Sequence, residues 1–315
     1  MGKITSMPAS ANVDQLFSRL EAMLGRIEQL LPAPPGEPDW NASVAFRWRV
    51  QNGRSSLLPV DRPHAIRLSD LRGIDEQKGL IEDNTRQFVQ GHPANNVLLT
   101  GSRGTGKSSL VKAVLNRFSR QGLRLIEVEK GDLVSLPDIV ELLARRPERF
   151  IIFCDDLSFE ASEVAYKALK SVLDGSVAAA PEHVLIYATS NRRHLMPEFM
   201  SENLEYKHVG EELHAGETSE EKISLSERFG LWVSFYAFDQ DEYLKIVVHW
   251  LAEFGCADSA VVRAEALRWA LTRGSRSGRV AWQFARDWAG RHGKEVIELK
   301  RKSVKLAGAR RARPR

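Results

Sequence analysis

The sequence predicts an α/β fold in which helices cover both faces of a parallel β-sheet, followed by a small all-helical domain. From Asp70 onward, short continuous apolar runs alternate with stretches of helical periodicity. Strands that are buried on both faces read as uninterrupted apolar runs, because helices cover each side of a parallel sheet. After Asp239 the apolar strands stop and three helical patterns follow, which indicates the second domain.

Composition is that of an ordinary globular protein and argues against several other classes. The chain has 315 residues, enough for two domains, with 43% hydrophobic and 27% charged residues. It contains no run of about 18 uncharged apolar residues and no apolar signal core near its start, so we expect no membrane association. Two cysteines do not make a disulfide framework. We therefore expect a cytoplasmic protein.

The positive charge of the chain is concentrated in a basic tail, residues 294–315. The formal net charge is +4, yet Leu299–Arg315 contain eight lysines or arginines and no acid, which leaves −4 for the rest. Such a tail can contact nucleic acid or acidic partners. The alternative is a solvated end without a binding role.

An accessory region is predicted ahead of the sheet. Apolar residues recur at steps of three and four from Val13 to Leu31, which indicates an amphipathic helix in residues 1–31. Four prolines within Pro32–Pro38 then mark a linker. The helix packs on the body or pairs with a partner, and the pattern favours neither.

A β-hairpin completes the region of residues 32–62. Val44–Val50 alternates apolar and polar side chains, and Asn52-Gly53 predicts a tight turn into a returning strand. We expect the hairpin to cover the core. A nucleic-acid contact through Arg47 and Arg49, on the face opposite the aromatic residues, is the alternative.

The main α/β domain is predicted in residues 63–238 and the helical domain in residues 239–293. The apolar runs predict strands at Val97–Thr100, Leu123–Val128, Phe150–Cys154, Val184–Ala188 and Leu231–Tyr236. The helical patterns lie at Lys107–Phe118, Leu136–Leu143, Ser162–Leu173, Asp241–Phe254, Ser259–Thr272 and Gly278–Ala289.

The segment after the first of these strands has the spacing of a phosphate-binding loop. Residues 101–108, GSRGTGKS, fit G-x-x-x-x-G-K-[ST] between a strand and a helix. Glycines let the backbone approach a phosphate chain, and the N–H groups of the helix N-terminus face its negative charge. Lys107 is expected to reach the β- and γ-phosphates, and Ser108 to ligate Mg²⁺. The predicted nucleotide contacts are Gly101, Ser102, Arg103, Gly104, Thr105, Gly106, Lys107, Ser108 and Ser109.

Two acids end the apolar strand of residues 150–154. Asp155 and Asp156 fall at the carboxyl end of the sheet, where ligands bind in α/β folds. One acid, Asp155, is expected to hold Mg²⁺ and the other, Asp156, to polarise an attacking water. Helix capping is the alternative for this pair. We expect Cys154 to be a buried small residue rather than a nucleophile.

The order of these motifs resembles an AAA+ ATPase over about Asp70–Arg291. Residues 101–108 correspond to Walker A and Asp155-Asp156 to Walker B. Four shorter segments follow the superfamily order by position: DLRGID (Asp70–Asp75), IYATSN ending at Asn191, LSERFG (Leu225–Gly230) and RSGRVAWQFA (Arg276–Ala285). In detail the chain resembles a family of uncharacterised bacterial predicted ATPases.

The resemblance implies a role for one residue in each of these segments. Ile74 would lie near the adenine, Asn191 would be the polar sensor 1, and Arg228 the arginine finger. Arg279 would be the sensor 2 arginine of the helical lid, with Arg276 as the second candidate. Together with Asp156, the catalytic set is Asp156, Asn191, Arg228 and Arg279, and the implied cofactors are ATP and Mg²⁺ in a homo-oligomer.

The chain departs from the superfamily at Asp156, where glutamate is usual. The replication-initiator branch also carries paired aspartates there, so hydrolysis remains expected, although slow turnover is consistent with the shorter acid. Glu160 is a second candidate for the missing acid, with a helix-start role as its alternative.

The arginines and one acidic stretch have alternative interpretations. Arg228 pairs with Glu227 or Glu221 on the surface, or it is the finger; Arg279 caps its helix, or it faces the γ-phosphate. Arg192 and Arg193 are expected to contact solvent or another subunit. Residues 198–221 contain eight glutamates and one lysine, which is typical of a solvated loop or of a partner contact.

These observations predict an ATPase that remodels or loads a macromolecular client. The alternative is an ATP-gated oligomeric switch with little turnover. A small-metabolite kinase is disfavoured, since the chain has a lid-like domain and a finger-like segment where a kinase needs an acceptor pocket. No aromatic pore loop is evident, and the sequence does not distinguish protein from nucleic acid as the client.

Overall fold

The computed structural model describes residues 17–23, 38–51, 53–159, 164–175, 181–192, 208–209, 212–213 and 225–292. Several predicted features lie outside these residues: the basic tail, nearly all of the acidic stretch, Asn52, Glu160 and Arg193. The chain divides into two compact units, residues 1–38 and 39–315. In the first unit, residues 17–23 (α1) are helical and exposed, which confirms the predicted helix for that stretch.

A seven-stranded sheet forms the frame of the second unit in the described part of the chain, with strand order β2-β1-β4-β5-β6-β3-β9. Its strands are β1 (Ala45–Gln51), β2 (Arg54–Pro59), β3 (Val97–Gly101), β4 (Leu123–Val128), β5 (Arg149–Cys154), β6 (Val184–Ser190) and β9 (Leu231–Phe235). The short strands β7 (His208–Val209) and β8 (Glu212–Leu213) pair with each other.

Parallel pairing joins β4, β5, β6, β3 and β9, as the apolar runs predict, and it also joins β4 to β1, which they did not predict. Side chains of β5 alternate between two buried clusters, with Ile151 and Phe153 on one face and Phe150 and Ile152 on the other. Helices supply the outer layers: α2 (Asp75–Val89), α3 (Lys107–Phe118), α4 (Leu136–Leu143) and α5 (Val164–Asp174).

The hairpin of β1 and β2 continues the sheet instead of lying over it. Strand β1 pairs with β2 in antiparallel fashion and with β4 in parallel. Phe46 and Trp48 are buried in a core cluster, so the hairpin contributes to the core as part of the sheet. Arg47 pairs with Glu127 and Arg49 with Glu129, so both arginines are engaged along the neighbouring strand and its end.

The helical domain follows α6 (225–227) and β9, and consists of α7 (Gln240–Glu253), α8 (Ala260–Thr272) and α9 (Gly278–Arg291). Each begins at a side-chain cap: Asp239, Ser259 and Ser277 accept a hydrogen bond from a backbone N–H of the first turn. None of the described helices is long and apolar enough to cross a membrane.

Strand order places the crevice of this fold at β3. After β3 the chain skips two positions to β4, returns through β5 and β6, and later reaches β9 on the other side of β3. Ligands of open α/β sheets bind outside the carboxyl ends of the strands at such a reversal. The residues that follow β3 and β5 therefore face one crevice.

Candidate nucleotide site

Glycine is sterically required at both ends of the loop that follows β3. Gly101 has φ 121°, and a Cβ there would lie 1.9 Å from the carbonyl oxygen of Phe235 in β9. Gly106, with φ 107°, is the N-cap of α3. Residues other than glycine rarely adopt such φ values, so the loop follows this path only with these glycines.

Lys107 points back into the loop and holds it closed. Its Nζ donates hydrogen bonds to the carbonyl oxygens of Gly101 and Ser102, both at 2.8 Å, and to Asn191 Oδ1 at 3.1 Å. The side chain is buried, and burial lowers the pKa of Lys107 to about 8 against the opposing effect of Asp156 and Asp155. Its hydrogen-bond acceptors among the described residues are neutral oxygens, and such a buried ammonium gains from an anionic ligand.

Asp155 is the meeting point of two hydroxyl groups. Ser108 Oγ, in the first turn of α3, donates to Asp155 Oδ1 at 2.6 Å. Thr189 Oγ1, near the end of β6, donates to the same oxygen at 2.6 Å. The carboxylate and the serine hydroxyl are hard oxygen donors, the kind that Mg²⁺ prefers.

Asp156 has the backbone conformation of a left-handed turn. Its φ is 54°, the one positive φ that the described non-glycine residues show. The Asp156 N–H donates to Thr189 Oγ1 at 2.8 Å, and Asp156 Oδ1 accepts a hydrogen bond from Asn191 Nδ2. Asn191 therefore joins Lys107 to Asp156 through the two ends of its amide.

These side chains line one cavity of about 780 Å³ between the sheet and the helical domain. The predicted residues in its lining are Ile74, Arg103, Gly104, Thr105, Gly106, Lys107, Ser108, Ser109, Asp155, Asp156, Asn191 and Arg279. Gly101 and Ser102 contribute through their carbonyl groups, which accept from Lys107.

Sequence reasoning missed most of the apolar wall and some polar lining residues. The cavity is also lined by His64, Ile66, Asp70, Leu71, Arg72, Lys112, Thr189, Phe238, Ile246, Trp250, Gly278 and Trp282. Trp282 lies three residues after Arg279 and so shares its helix face, a signal that was available. Asp70, Leu71 and Arg72 lie in the segment DLRGID, and Gly278 lies in RSGRVAWQFA, both already singled out by the resemblance. The remaining lining residues depend on tertiary packing.

Arg279 approaches the cavity from the helical domain. It lies in the first turn of α9, whose cap is Ser277, so helix capping is carried out by a different residue. A Cβ on Gly104 would lie 2.8 Å from Ser277 Oγ, which shows how closely α9 packs on the loop. The helical domain thus closes the cavity above the loop, and the sensor role of Arg279 stays a prediction.

The charges around the cavity favour a polyanion. Five cationic side chains line it in the described residues: Arg72, Arg103, Lys107, Lys112 and Arg279. Three aspartates oppose them, of which Asp70 is buried and bonded to Arg67. Polyphosphate with a divalent cation fits this balance.

The hydroxyl of Ser108 and the carboxylate of Asp155 are suited to bind Mg²⁺. No group of three or more His, Cys, Asp or Glu suited to a metal occurs in the described residues. Mg²⁺ does not require one, because it commonly keeps several waters and uses one or two protein oxygens with substrate phosphates. Cys154 is fully buried and its pKa is raised to about 12 by burial, as expected for a structural residue.

Arg228 lies away from the cavity as the structure describes it. Its Nε donates to Asp174 at the end of α5, a partner that the sequence did not indicate. Glu221, one of the expected partners, lies outside the described residues. Arg276 and Arg279 are both exposed, but Arg279 lines the described cavity and Arg276 does not.

Comparison with known proteins identifies a family and a partial relative. A family model described as protein of unknown function (DUF815) matches residues 41–292. Over 126 residues the chain is 29% identical to proteasome-activating nucleotidase 2 of Halobacterium salinarum, covering 36% of this chain and 31% of that protein. The chain thus matches only about a third of that relative's length.

A solved structure shows the same fold at low identity. The Aeropyrum pernix ORC1 protein in complex with DNA superposes with a TM-score of 0.50 at 17% identity, covering 70% of this chain and 61% of that chain. The Thermotoga maritima RuvB Holliday junction branch migration motor has a TM-score of 0.44 at 15% identity, covering 70% and 63%. The chain therefore has the fold of the AAA+ proteins and belongs to the family described as protein of unknown function (DUF815).

Proposed function

We propose that the protein binds ATP with Mg²⁺ in this cavity and hydrolyses it to ADP and phosphate, in order to remodel or load a macromolecular client. One observation supports this above the others. Lys107, Asn191 and Asp156 form a continuous hydrogen-bonded series beside the Ser108–Asp155 pair, all on one wall of one cavity. Phosphate binding, metal binding and water activation therefore fall within a single site.

The residues of the loop bind and orient the phosphates. Lys107 gives up its hydrogen bonds to the Gly101 and Ser102 carbonyls and donates to phosphate oxygens instead. Charged acceptors thereby replace neutral ones, which strengthens the hydrogen bonds. Ser108 and Asp155 would hold Mg²⁺, which supplies charge neutralisation at the phosphates when bound. The apolar lining residues exclude water from the adenine base of ATP; they include Ile74, Phe238 and Trp250.

The acid and amide at the end of the sheet handle the water. Asp156 is exposed at the cavity and accepts the proton of the attacking water, and Asn191 positions that water by its amide. Asp156 must first exchange its Asn191 contact for the water. Arg279 reaches the γ-phosphate from the lid, and Arg228 of a neighbouring subunit stabilises the developing charge.

The phosphate-loop lysine provides the direct test. Lys107→Ala is expected to weaken ATP binding about tenfold to a hundredfold, because a hydrogen bond to a charged group contributes about 1.5–3 kcal/mol. Lys167→Ala, an exposed lysine on α5, is the matched control and is expected to bind ATP like the wild type. Isothermal titration with ATP measures both, and equal affinity of Lys107→Ala and wild type would contradict the assignment of the site.

An ATP-gated switch with little turnover is the second candidate. It is favoured by Asp156, which is one methylene shorter than glutamate and is bonded to Asn191. In that case ATP drives assembly and persists in the site. Steady-state phosphate release from the purified oligomer separates the two functions, since a switch releases no more than a single turnover.

The nature of the client belongs to the same proposal. The oligomer, a protein or nucleic-acid client and a contact of the basic tail with nucleic acid are all expected, and affinity capture addresses them together. Asp156→Asn in the presence of ATP is expected to retain the client, because the site binds ATP but hydrolyses it slowly. Capture that is the same with Lys107→Ala would show that retention does not depend on ATP.

A further inference from the structure

Thr189 is the one described residue that contacts both acids of the site through a single atom. Its hydroxyl lies 2.6 Å from Asp155 Oδ1 and 2.8 Å from the backbone nitrogen of Asp156. Its carbonyl oxygen also accepts the Leu157 N–H at 2.7 Å. Three consecutive residues after β5 are therefore fixed by one residue of β6.

The direction of each hydrogen bond follows from the chemistry of the groups. An ionised carboxylate only accepts, so the single hydroxyl proton of Thr189 goes to Asp155. The Asp156 amide only donates, so it uses a lone pair of the same oxygen. Thr189 is 1% exposed, which limits the access of a substitute water to this position.

The second contact explains the conformation of Asp156. At φ 54° an Asp156 side chain turns toward the cavity, and aspartate tolerates this region better than most residues. The N–H of such a residue points away from the regular ladder and needs its own acceptor. Thr189 Oγ1 is that acceptor, so the hydroxyl supports the backbone turn that presents the carboxylate.

We propose that Thr189 is a positioning residue that orients the metal-binding acid and the water-activating acid of the site together. The inference rests on the proposed function in its assignment of Asp155 and Asp156. Thr189 itself touches neither water nor phosphate in this scheme. Its loss would displace two acids at once, which no other single hydroxyl in the described site does.

Two substitutions separate the hydroxyl from the shape of the side chain. Thr189→Val keeps the branched shape and removes the hydroxyl, whereas Thr189→Ser keeps the hydroxyl. Partners that orient metal ligands typically contribute about tenfold to a hundredfold in metal affinity or activity. We expect Thr189→Val to reduce two quantities by that factor: kcat, and the gain in ATP affinity on adding Mg²⁺. Thr189→Ser should keep most of both quantities.

Three further measurements exclude a purely structural role. Affinity for ATP in EDTA should be unchanged in Thr189→Val, because the loop and Lys107 do not use Thr189. Amide exchange at Asp156 should be faster in Thr189→Val than in wild type or Thr189→Ser, without any nucleotide. Ser190→Ala is the matched control: this buried hydroxyl of the next residue donates to the Leu157 carbonyl and to neither acid, so the Mg²⁺-dependent gain should persist.

The outcomes distinguish this inference from the proposed function. If wild type binds ATP more tightly with Mg²⁺ but releases no phosphate, hydrolysis is wrong while the affinity gain and amide exchange still test Thr189. A normal Mg²⁺-dependent gain in Thr189→Val overturns the inference, as does an equal loss in Ser190→Ala or an absent gain in wild type. If Thr189→Val does not fold, Thr189→Ala removes the same hydroxyl with less crowding and is judged by the same results.

Discussion

The two walls of the cavity are built in different ways. On the sheet side, hydrogen bonds of 2.6–3.1 Å join Lys107 to Asn191 and to a backbone carbonyl of the loop, and join Ser108 to Asp155. On the lid side, α7 and α9 present apolar Ile246, Trp250 and Trp282 with a single arginine, Arg279. The side chains on the sheet side thus hold one another in place by hydrogen bonds, whereas those on the lid side line the cavity mainly with apolar surface.

This difference assigns separate tasks to the two walls. Groups that are already held in place stabilise developing charge without reorganising during the reaction, which suits the sheet side to phosphate chemistry. Under the proposed function, the two tryptophans, the isoleucine and the arginine of the lid side cover the bound nucleotide. The two walls meet where Gly104 faces Ser277.

The largest expected effect concerns Arg228, which belongs to neither wall of the cavity as described. Arg228→Ala is expected to reduce ATP turnover on the order of 10³-fold while nucleotide binding is nearly intact, because a finger acts on the transition state. A surface ion pair would contribute under about 1 kcal/mol, less than tenfold. Steady-state phosphate release at saturating ATP measures the difference.

Two controls decide whether Arg228 acts between subunits. Asp174→Ala removes the ion-pair partner that the structure describes for Arg228, and it should leave turnover high if that pair is not the functional contact. Mixing Arg228→Ala with Lys107→Ala subunits should restore activity at the interfaces that combine an intact loop with an intact arginine. Absence of recovery in oligomers shown to mix would contradict action in trans.

A second prediction sharpens the role of the sheet side. Asp156→Asn should lower turnover on the order of 10²-fold, a contribution typical of general base catalysis, while ATP affinity is kept. Asparagine also tolerates a positive φ, so the turn at residue 156 should survive. Single-turnover rates and ATP titration test this, and unchanged turnover would transfer the base role to another residue.

A third prediction tests the lid side. Arg279→Ala should weaken ATP binding about tenfold, with less effect on ADP, because one charge-assisted hydrogen bond to the γ-phosphate contributes about 1.5–3 kcal/mol. Arg276→Ala, on the exposed segment just before α9, is the control and should bind both nucleotides normally. Equal losses for ATP and ADP would place Arg279 away from the γ-phosphate.

The smallest effect is a pH dependence of stability on the lid side. Burial, with help from the charge of Arg72, lowers the pKa of His249 in α7 below its ordinary 6.5. The unfolded chain therefore takes up a proton at a higher pH than the folded chain, and the free energy of unfolding falls as pH drops from about 6.5 through the lower folded pKa. Above that window the contribution is fully present.

Thermal unfolding between pH 7.5 and pH 5 measures this contribution. His249→Gln should remove part of the decline on the acid side, whereas His92→Gln, at an exposed histidine, should leave it as in wild type. Identical pH profiles for wild type and His249→Gln would show that His249 is not a source of the acid sensitivity.

Sequence periodicity anticipated the elements of the α/β domain closely. The predicted bounds of β4, α3 and α4 are those of the structure, because each is set by apolar spacing within its own segment. The last strand ends at Phe235, one residue earlier than predicted. Gly101 is the last residue of β3, and it pairs with Phe235, so Tyr236 has no partner there and is exposed.

Within the candidate site, the sequence identified the side chains whose chemistry depends on local spacing. The glycine–lysine–serine run and the acid pair after β5 are both short motifs with a stated geometry. The sequence did not identify Thr189 as a contact of both acids, nor the ion pair of Arg228 with Asp174. Both contacts join segments that lie 33 or more residues apart in the chain.

By itself, then, the sequence determined the phosphate-binding loop, the alternation of strands and helices, and the family resemblance, since these follow from residues within one turn or one strand of each other. Only the tertiary structure decided which strand lies beside which, and through that order it brought Thr189 to Asp155 and Phe238, just after β9, to the cavity. Strand order depends on how buried faces pack across the whole sheet, a free energy that no local pattern contains. The hairpin illustrates it: β1 was predicted from its own alternation, but its place beside β4 depends on residues some eighty positions away.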